Sequence, residues 1–345
     1  MFNMTSFIMK SACWLLIVFP LALRAQQGSE KLFGYTHLQT LYKGDTVNML
    51  VKSKAGEENK RKPIFLFCQG SLPIPLMITY TANGKTQVGN VFVFNPDVLT
   101  DKYHLVIISK PGIPLIVDQR ALSDSFTFKD STGNFPGAYT ERNLLDYYVE
   151  RNKEVIRFLH RQNWVSKEGL VIAGHSEGST IAAKLALEIK AVTALIYSSG
   201  NPLGRIMTII ERNRLLQKDS ADLTTEDIVH WQNVVNDPEQ MEGATGDSHK
   251  ATYQFSIPSI QYLEKLKIPV LVSYGSKDAI APFEMYLRVE MIRQKKKNFS
   301  FRVYPGTEHN YFPLHADGSV NYDIFNWDQV AKDWREWLLQ MDKEK

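Results

Sequence analysis

A series of short apolar runs, each stopped by a turn rich in small residues, constrains this chain more than any other feature. Pro63-Ile-Phe-Leu-Phe-Cys68 ends at Gln69-Gly70-Ser71, and Leu105-Val-Ile-Ile108 ends at Ser109-Lys110-Pro111-Gly112. Leu170-Val-Ile-Ala173, Ala194-Leu-Ile-Tyr197, Val270-Leu-Val-Ser-Tyr274 and Phe299–Tyr304 follow. Unbroken apolar runs of this length suit strands buried on both faces, as in a parallel sheet. Between them lie helical patterns at Glu141–Arg161, Ser179–Lys190, Pro282–Arg293 and Trp327–Leu339. Strand and helix in alternation predict a mostly parallel central sheet with helices on both faces, an α/β fold whose reactive groups sit on loops at the carboxyl ends of the strands. Ahead of it, Leu32–Ser53 alternates about a Gly44-Asp45 turn and reads as a hairpin.

The alternation fails between Ser199 and Ile257, where Leu203–Gln217 and Thr225–Asn236 read as helices and Asp237–Lys250, with Pro238, Gly243 and Gly246, as a loop. This predicts a helical cap insertion at about 200–258, covering the strand ends. His230 and Trp231 fall within it, and a His–Trp pair on a helix face is in most cases packing.

One strand end carries a chemical motif. Gly174-His175-Ser176-Glu177-Gly178 stands between an apolar run and an alanine-rich helical pattern. A serine hydroxyl is a weak nucleophile until a neighbouring imidazole takes its proton, and the imidazole needs a carboxylate to fix its tautomer. In the context strand, Gly-x-Ser-x-Gly, helix, the serine is presented on a tight turn that requires small flanking residues, with the helix amino end favouring an oxyanion. Ser176 is therefore the candidate nucleophile. Asp278, in Gly275-Ser276-Lys277-Asp278 after Val270–Tyr274, is the candidate acid. His309, in Pro305-Gly-Thr-Glu-His309 after Phe299–Tyr304, is the candidate base. His315 is a rival, but the Ala316-Asp317-Gly318 beside it reads as a solvated turn. The oxyanion requires two amides: the N–H of Glu177, and one from the loop after Phe67, where Ser71 is the choice and Gly70 its neighbouring alternative. The Glu177 side chain has two possible uses, holding a substrate ammonium or pairing with Lys110 or Arg142, and pairing is favoured. His175 is expected to pack beneath the turn.

With "FLFCQGS", "VIAGHSEGS", "VLVSYGSKD" and "YPGTEHNYF" in this order, the chain resembles the α/β-hydrolases over roughly residues 60 to 340. The resemblance implies an eight-stranded, mostly parallel sheet and serine hydrolysis through an acyl-enzyme. Gly-His-Ser-Glu-Gly elbows occur in a secreted bacterial subset of esterase-like and peptidase-like members, which this chain resembles. Gln69 stands where many members carry histidine, a departure from the lipase-type subfamilies that leaves backbone amides available. The segment Gln69–Gly169 is long for the fold, so extra structure is expected near Ser71–Asn95.

The remaining features bound the setting. Lys10, the apolar run Ala12–Leu23 and Arg24-Ala25 have the order of a secretory signal peptide cleaved after Ala25. Met9 is an alternative start. An exported, periplasmic or extracellular bacterial protein is expected, as a single domain over 26–345, without stable membrane insertion after cleavage. Without residues 1–25 the chain carries 38 basic and 37 acidic side chains, and no basic stripe points to nucleic acid. Of two cysteines, Cys13 and Cys68, only Cys68 would remain, which excludes an intramolecular disulfide. There is no metal-ligand spacing and no dinucleotide or P-loop pattern, so the chemistry expected needs no cofactor and no metal. The expected partner is a small-molecule ester or a short peptide, with a non-catalytic binding protein as the alternative from another class.

Overall fold

The computed structural model describes residues 30–89, 91–217, 223–242 and 247–343. The expected signal segment lies outside these residues, as do Gly243 and Gly246. The central sheet has nine strands: β1 (Glu30–Leu32), β2 (Tyr35–Tyr42), β3 (Asp45–Lys52), β4 (Ile64–Cys68), β7 (His104–Ile108), β9 (Leu170–His175), β10 (Val192–Ser198), β11 (Val270–Gly275) and β12 (Phe299–Tyr304). Their order is β1-β2-β3-β7-β4-β9-β10-β11-β12. From β7 to β12 every pair is parallel, and the β1–β2, β2–β3 and β3–β7 pairs are antiparallel. The expected hairpin is β2–β3. The short β1, paired to β2, brings the count to nine where the resemblance implied eight.

The apolar runs are buried on both faces because each strand feeds two cores. Ile64, Leu66 and Cys68 of β4 point into one and Phe65 and Phe67 into the other. Likewise Leu170 and Ile172 of β9 enter the first, and Val171 and Ala173 the second. The period of two is a strand's own geometry. The first core is closed by α2 (Leu145–Leu159), α3 (Glu177–Glu188) and α8 (Ala281–Arg293), the second by α9 (Trp327–Lys343). Each fully buried side chain of the size of Phe65 or Leu66 contributes about 1.5–3 kcal/mol. β12 instead alternates half-buried Phe299, Phe301 and Val303 with exposed Ser300 and Arg302, as an edge strand should.

The helix expected from Glu141 begins at Leu145. A short α1 (Gly137–Thr140) precedes it, Leu144 is extended, and Arg142 is drawn to Asp45 at the start of β3 by two hydrogen bonds, from Nε at 2.5 Å and Nη2 at 3.1 Å. Tertiary pairing therefore overrides helix propensity over that turn. The extra structure after Ser71 is a second, three-stranded sheet in which β5 (Met77–Ala82) pairs with β6 (Lys85–Gly89) and with β8 (Ile116–Asp118). Between β10 and β11 stand α4 (Arg205–Leu216), α5 (Leu223–Asn236), α6 (His249–Ser256) and α7 (Ile260–Leu263), with no strand among the described residues there. The sequence reading missed α6, which is capped by Ser248, whose Oγ accepts from the Ala251 amide at 3.1 Å.

Candidate active site

β9 lies in the middle of the sheet, between β4 and β10, and the chain leaves its carboxyl end through Ser176. Ser176 has φ 58° and ψ −126°, a region costly for a side chain with a Cβ. The glycines on either side are steric requirements. A Cβ on Gly174 would stand 2.1 Å from the Gly178 carbonyl oxygen, and one on Gly178 would stand 2.0 Å from that of Cys68. The turn is held by the Ser176 amide donating to Ser198 O (2.9 Å), and by the Ser179 amide and Oγ both donating to Ser176 O (3.0 and 2.6 Å). Glu177 is the first residue of α3, so its N–H stands among the unsatisfied donors at the helix amino end, next to the serine.

Two neighbouring strand ends bring the other groups. A Cβ on Gly275, at the end of β11, would meet the carbonyl oxygens of Thr307 and Glu308 at 2.3 Å, so the loops after β11 and β12 are in close contact. That contact sets His309 Nδ1 2.7 Å from Asp278 Oδ2, with the carboxylate side chain 1 % exposed and the imidazole 19 %. Glu308 fixes the histidine loop, its Oε1 accepting from the amides of Asn310 (2.7 Å) and Phe312 (3.0 Å). Ser176 and His309 line the same two cavities. His315, the rival base, is exposed, its amide donating to Ser319 O at 2.8 Å in a separate turn.

The loop after β4 meets the serine from the other side. Gly70 faces it, and a Cβ there would stand in ordinary van der Waals contact, 3.6 Å from Ser176 Cβ and 4.0 Å from its Oγ. Ser71 lines both cavities and its carbonyl accepts from Tyr139 Oη at 2.7 Å. Gln69 donates from Nε2 to Ile108 O at 2.8 Å, tying this loop to the end of β7. The histidine absent at position 69 is thus replaced by a structural amide. The buried Cys68 has its thiol pushed up to about 12 by burial, which leaves it without thiolate character.

Around this core the side chains are closely tied. His175 is buried, with Nδ1 3.0 Å from Ser198 Oγ and Nε2 3.2 Å from Asn310 Oδ1, its ring 5.0 Å from that of His309 and edge-on to Trp327. Burial first, then the neighbouring His309, hold its pKa well below 6.5, so it is a neutral packing group. Glu177 turns its carboxylate away from solvent to Lys110 Nζ at 2.9 Å and to Arg205 Nη2, and Arg205 also pairs with Asp247. Lys110 was one of the two partners expected. The other, Arg142, is committed to Asp45, and Arg205 takes its place. Burial alone would raise the Glu177 pKa, but Lys110 and Arg205 pull it below the ordinary carboxylate value. His230 meets His249 edge-on and Trp231 stacks on Tyr253, and neither lines the two cavities.

Sequence reasoning missed three groups. Arg205 and Arg212 come from α4, which nothing in the sequence aligns with the serine. Glu284, in the first turn of α8, is fully buried, and among the described residues its carboxyl oxygens have no hydrogen-bond partner. Burial first, and then Asp278, push its pKa well above the ordinary carboxylate value.

The two cavities differ in character. One, of about 240 Å³, lies between the serine and α4 and is lined by Glu177, Thr180, Asn201, Arg205, Thr208 and Asp247 among others. The other, of about 310 Å³, has an apolar side of Phe67, Leu72, Ile74, Val91, Val93 and Ile107 and a polar side that includes Gln69, His175, Arg212 and Asn310. A strained serine on a helix amino end, with a carboxylate-bound imidazole at the same cavity, can carry nucleophilic acyl transfer.

Comparison with known proteins agrees with this chemistry. The family model described as serine aminopeptidase, S33 (Hydrolase_4) matches residues 132–313, just over half of the chain. No curated protein matches the chain significantly. Among solved structures, Est1E from Butyrivibrio proteoclasticus aligns with a TM-score of 0.52 at 15% identity, over 88% of this chain and 98% of that one. A putative dipeptidyl aminopeptidase IV from Bacteroides ovatus ATCC 8483 aligns with a TM-score of 0.52 at 11% identity, over 89% of this chain and 36% of that one. At such identities the likeness is one of fold. The family match extends from ahead of α2 to just past His309 and so takes in the elbow, the α4–α7 helices and both later strand ends: the chain belongs to the S33 serine aminopeptidase family of the α/β-hydrolase superfamily.

Proposed function

We propose that the protein is an exported serine hydrolase that cleaves a carboxylic ester through an acyl-enzyme, with Ser176 as nucleophile, His309 as base and Asp278 as the group that orients it. The observation that carries this reading is the 2.7 Å bond between Asp278 and His309 Nδ1 at the cavity that Ser176 enters on its strained turn. The bond leaves Nε2 as the nitrogen that takes the Ser176 proton when Oγ attacks the substrate carbonyl carbon. The oxyanion is met by the amides of Glu177 and Ser71. The C–O bond to the leaving alcohol breaks as His309 returns the proton to it. Water then attacks the acyl carbonyl, giving its proton to His309. The acid departs as that proton returns to Ser176 Oγ. The α4–α6 segment, within the insertion at about 200–258, is the cap over this site.

The family's description favours a second reading, an aminopeptidase acting on short peptides. That reaction requires an anion to hold the substrate ammonium. Glu177 is occupied by Lys110 and Arg205, and Asp247 by Arg205 and by Asn143 Nδ2 at 2.8 Å. The ester reading is therefore the better supported. Purified protein lacking residues 1–25 should hydrolyse 4-nitrophenyl esters faster than aminoacyl 4-nitroanilides, and Ser176→Ala should lower kcat on the order of 10⁴- to 10⁶-fold. Faster cleavage of the anilides would reverse the order of the two readings. Ester turnover that survives Ser176→Ala would remove both.

A further inference from the structure

Arg205, Thr208, Ile209 and Arg212 of α4 all face the polar cavity, at spacings of three, four and seven residues. A helix face that only packs on a protein body is apolar at such positions; this one carries two guanidinium groups, a hydroxyl and a single aliphatic side chain. The charges beneath it are balanced. Lys110, Glu177, Arg205 and Asp247 form an alternating chain of two cations and two anions. Arg212 is left over. It is exposed, and among the described residues no carboxylate lies within ion-pair distance of it. Its neighbours are engaged with one another: Arg214 pairs with Glu211, and Asn213 donates to both carboxylate oxygens of Asp227. Arg212 also lines the apolar cavity, as do Ser71, Ser176 and His309. It therefore stands where both halves of a substrate held at Ser176 would pass.

We infer that the substrate is a carboxylate-bearing ester, its anionic group seated against Arg212 and its apolar part in the cavity lined by Phe67, Ile74 and Val93. The inference rests on the serine-hydrolase reading above. A single uncompensated guanidinium matches a monoanion in charge, and its planar fork matches a carboxylate in shape. Thr208, one turn earlier on the same face, lines the same cavity; its Oγ1 accepts from Asn201 Nδ2 at 2.9 Å, which leaves its own hydroxyl hydrogen as a donor. Arg212 here is a specificity residue: it binds the substrate remote from the bond that breaks.

The test uses the full mature chain and three esters: 4-nitrophenyl pentanoate, mono-4-nitrophenyl glutarate, with the charge on the acyl side, and the butyrate ester of 4-hydroxybenzoate, with the charge on the leaving side. Wild type should favour one of the two anionic esters over the neutral one by about tenfold or more in kcat/KM, the range of one charge-assisted pair. Arg212→Gln should abolish that preference through KM, Arg212→Lys should keep part of it, and Arg212→Glu should invert it. Both wild type and Arg212→Gln should label with a fluorophosphonate probe. Labelled wild type without any anionic preference, or an Arg212→Gln protein that retains the preference, would overturn the inference alone. Folded wild type that neither labels nor cleaves any of the three would overturn the hydrolase reading and this inference with it.

Discussion

At the scale of single residues, the site is assembled by contacts too close for any other side chain. Gly174 and Gly178 leave room for one another's backbone and for Cys68, and this lets Ser176 hold a backbone conformation it would not choose alone. Beneath it, neutral His175 carries a testable cost. Its folded pKa is depressed below 6.5, so between the two values the unfolded chain binds the extra proton. Its contribution is therefore complete above about pH 6.5 and is lost as pH falls through that window, with a slope of up to about 1.4 kcal/mol per pH unit. Urea unfolding of wild type and His175→Asn at pH 7.5 and 5.5 should show wild type losing more stability on acidification than the variant. An equal loss in both would place the acid sensitivity elsewhere. This role was partly legible: the motif's histidine was expected to pack below the turn, but Ser198, Asn310 and Trp327 come from three other segments and had no signal in the sequence.

At the scale of elements, Glu177 couples β7's carboxyl end, α3 and α4. Its carboxylate and the Lys110 ammonium are both almost completely buried, and an ion pair at such depth is worth most when one partner is removed. Glu177→Gln leaves Lys110 buried and unneutralised and should cost about 3–5 kcal/mol, read as a shift in the urea midpoint. Lys110→Met/Glu177→Gln should recover part of that loss, because no charge is then stranded. A double variant no more stable than Glu177→Gln would show that the pair is not energetically coupled. The elements themselves were legible where their pattern was local: the runs ending at Cys68, Ile108, Ala173 and Tyr274 are β4, β7, β9 and β11. The start of α2 was not, because Arg142 answers to Asp45 97 residues away. Nor was α6, whose eight residues carry too few turns to stand out.

At the scale of the whole molecule, the sheet brings the carboxyl ends of β9, β11 and β12 to one edge, with β10 between the first two, and the proposed triad spans 133 residues of sequence from Ser176 to His309. Ser176, Asp278 and His309, the proposed triad, stand out in the sequence because each follows an apolar run in a fixed order. Arg205 and Arg212 do not, since a helix over a site announces its composition but not the face it turns inward. Glu177 was legible only as a choice between two uses, which the positions of Lys110 and Arg205 narrow. All of it leads to one central claim, that Ser176 is activated by His309. The most direct measurement is reaction of the folded protein with a fluorophosphonate probe, followed by peptide mass spectrometry, for wild type, Ser176→Ala and His309→Ala. The account predicts a single adduct on Ser176 in wild type and none in either variant under the same conditions. A folded wild type that stays unmodified, or one modified equally in His309→Ala, would contradict it.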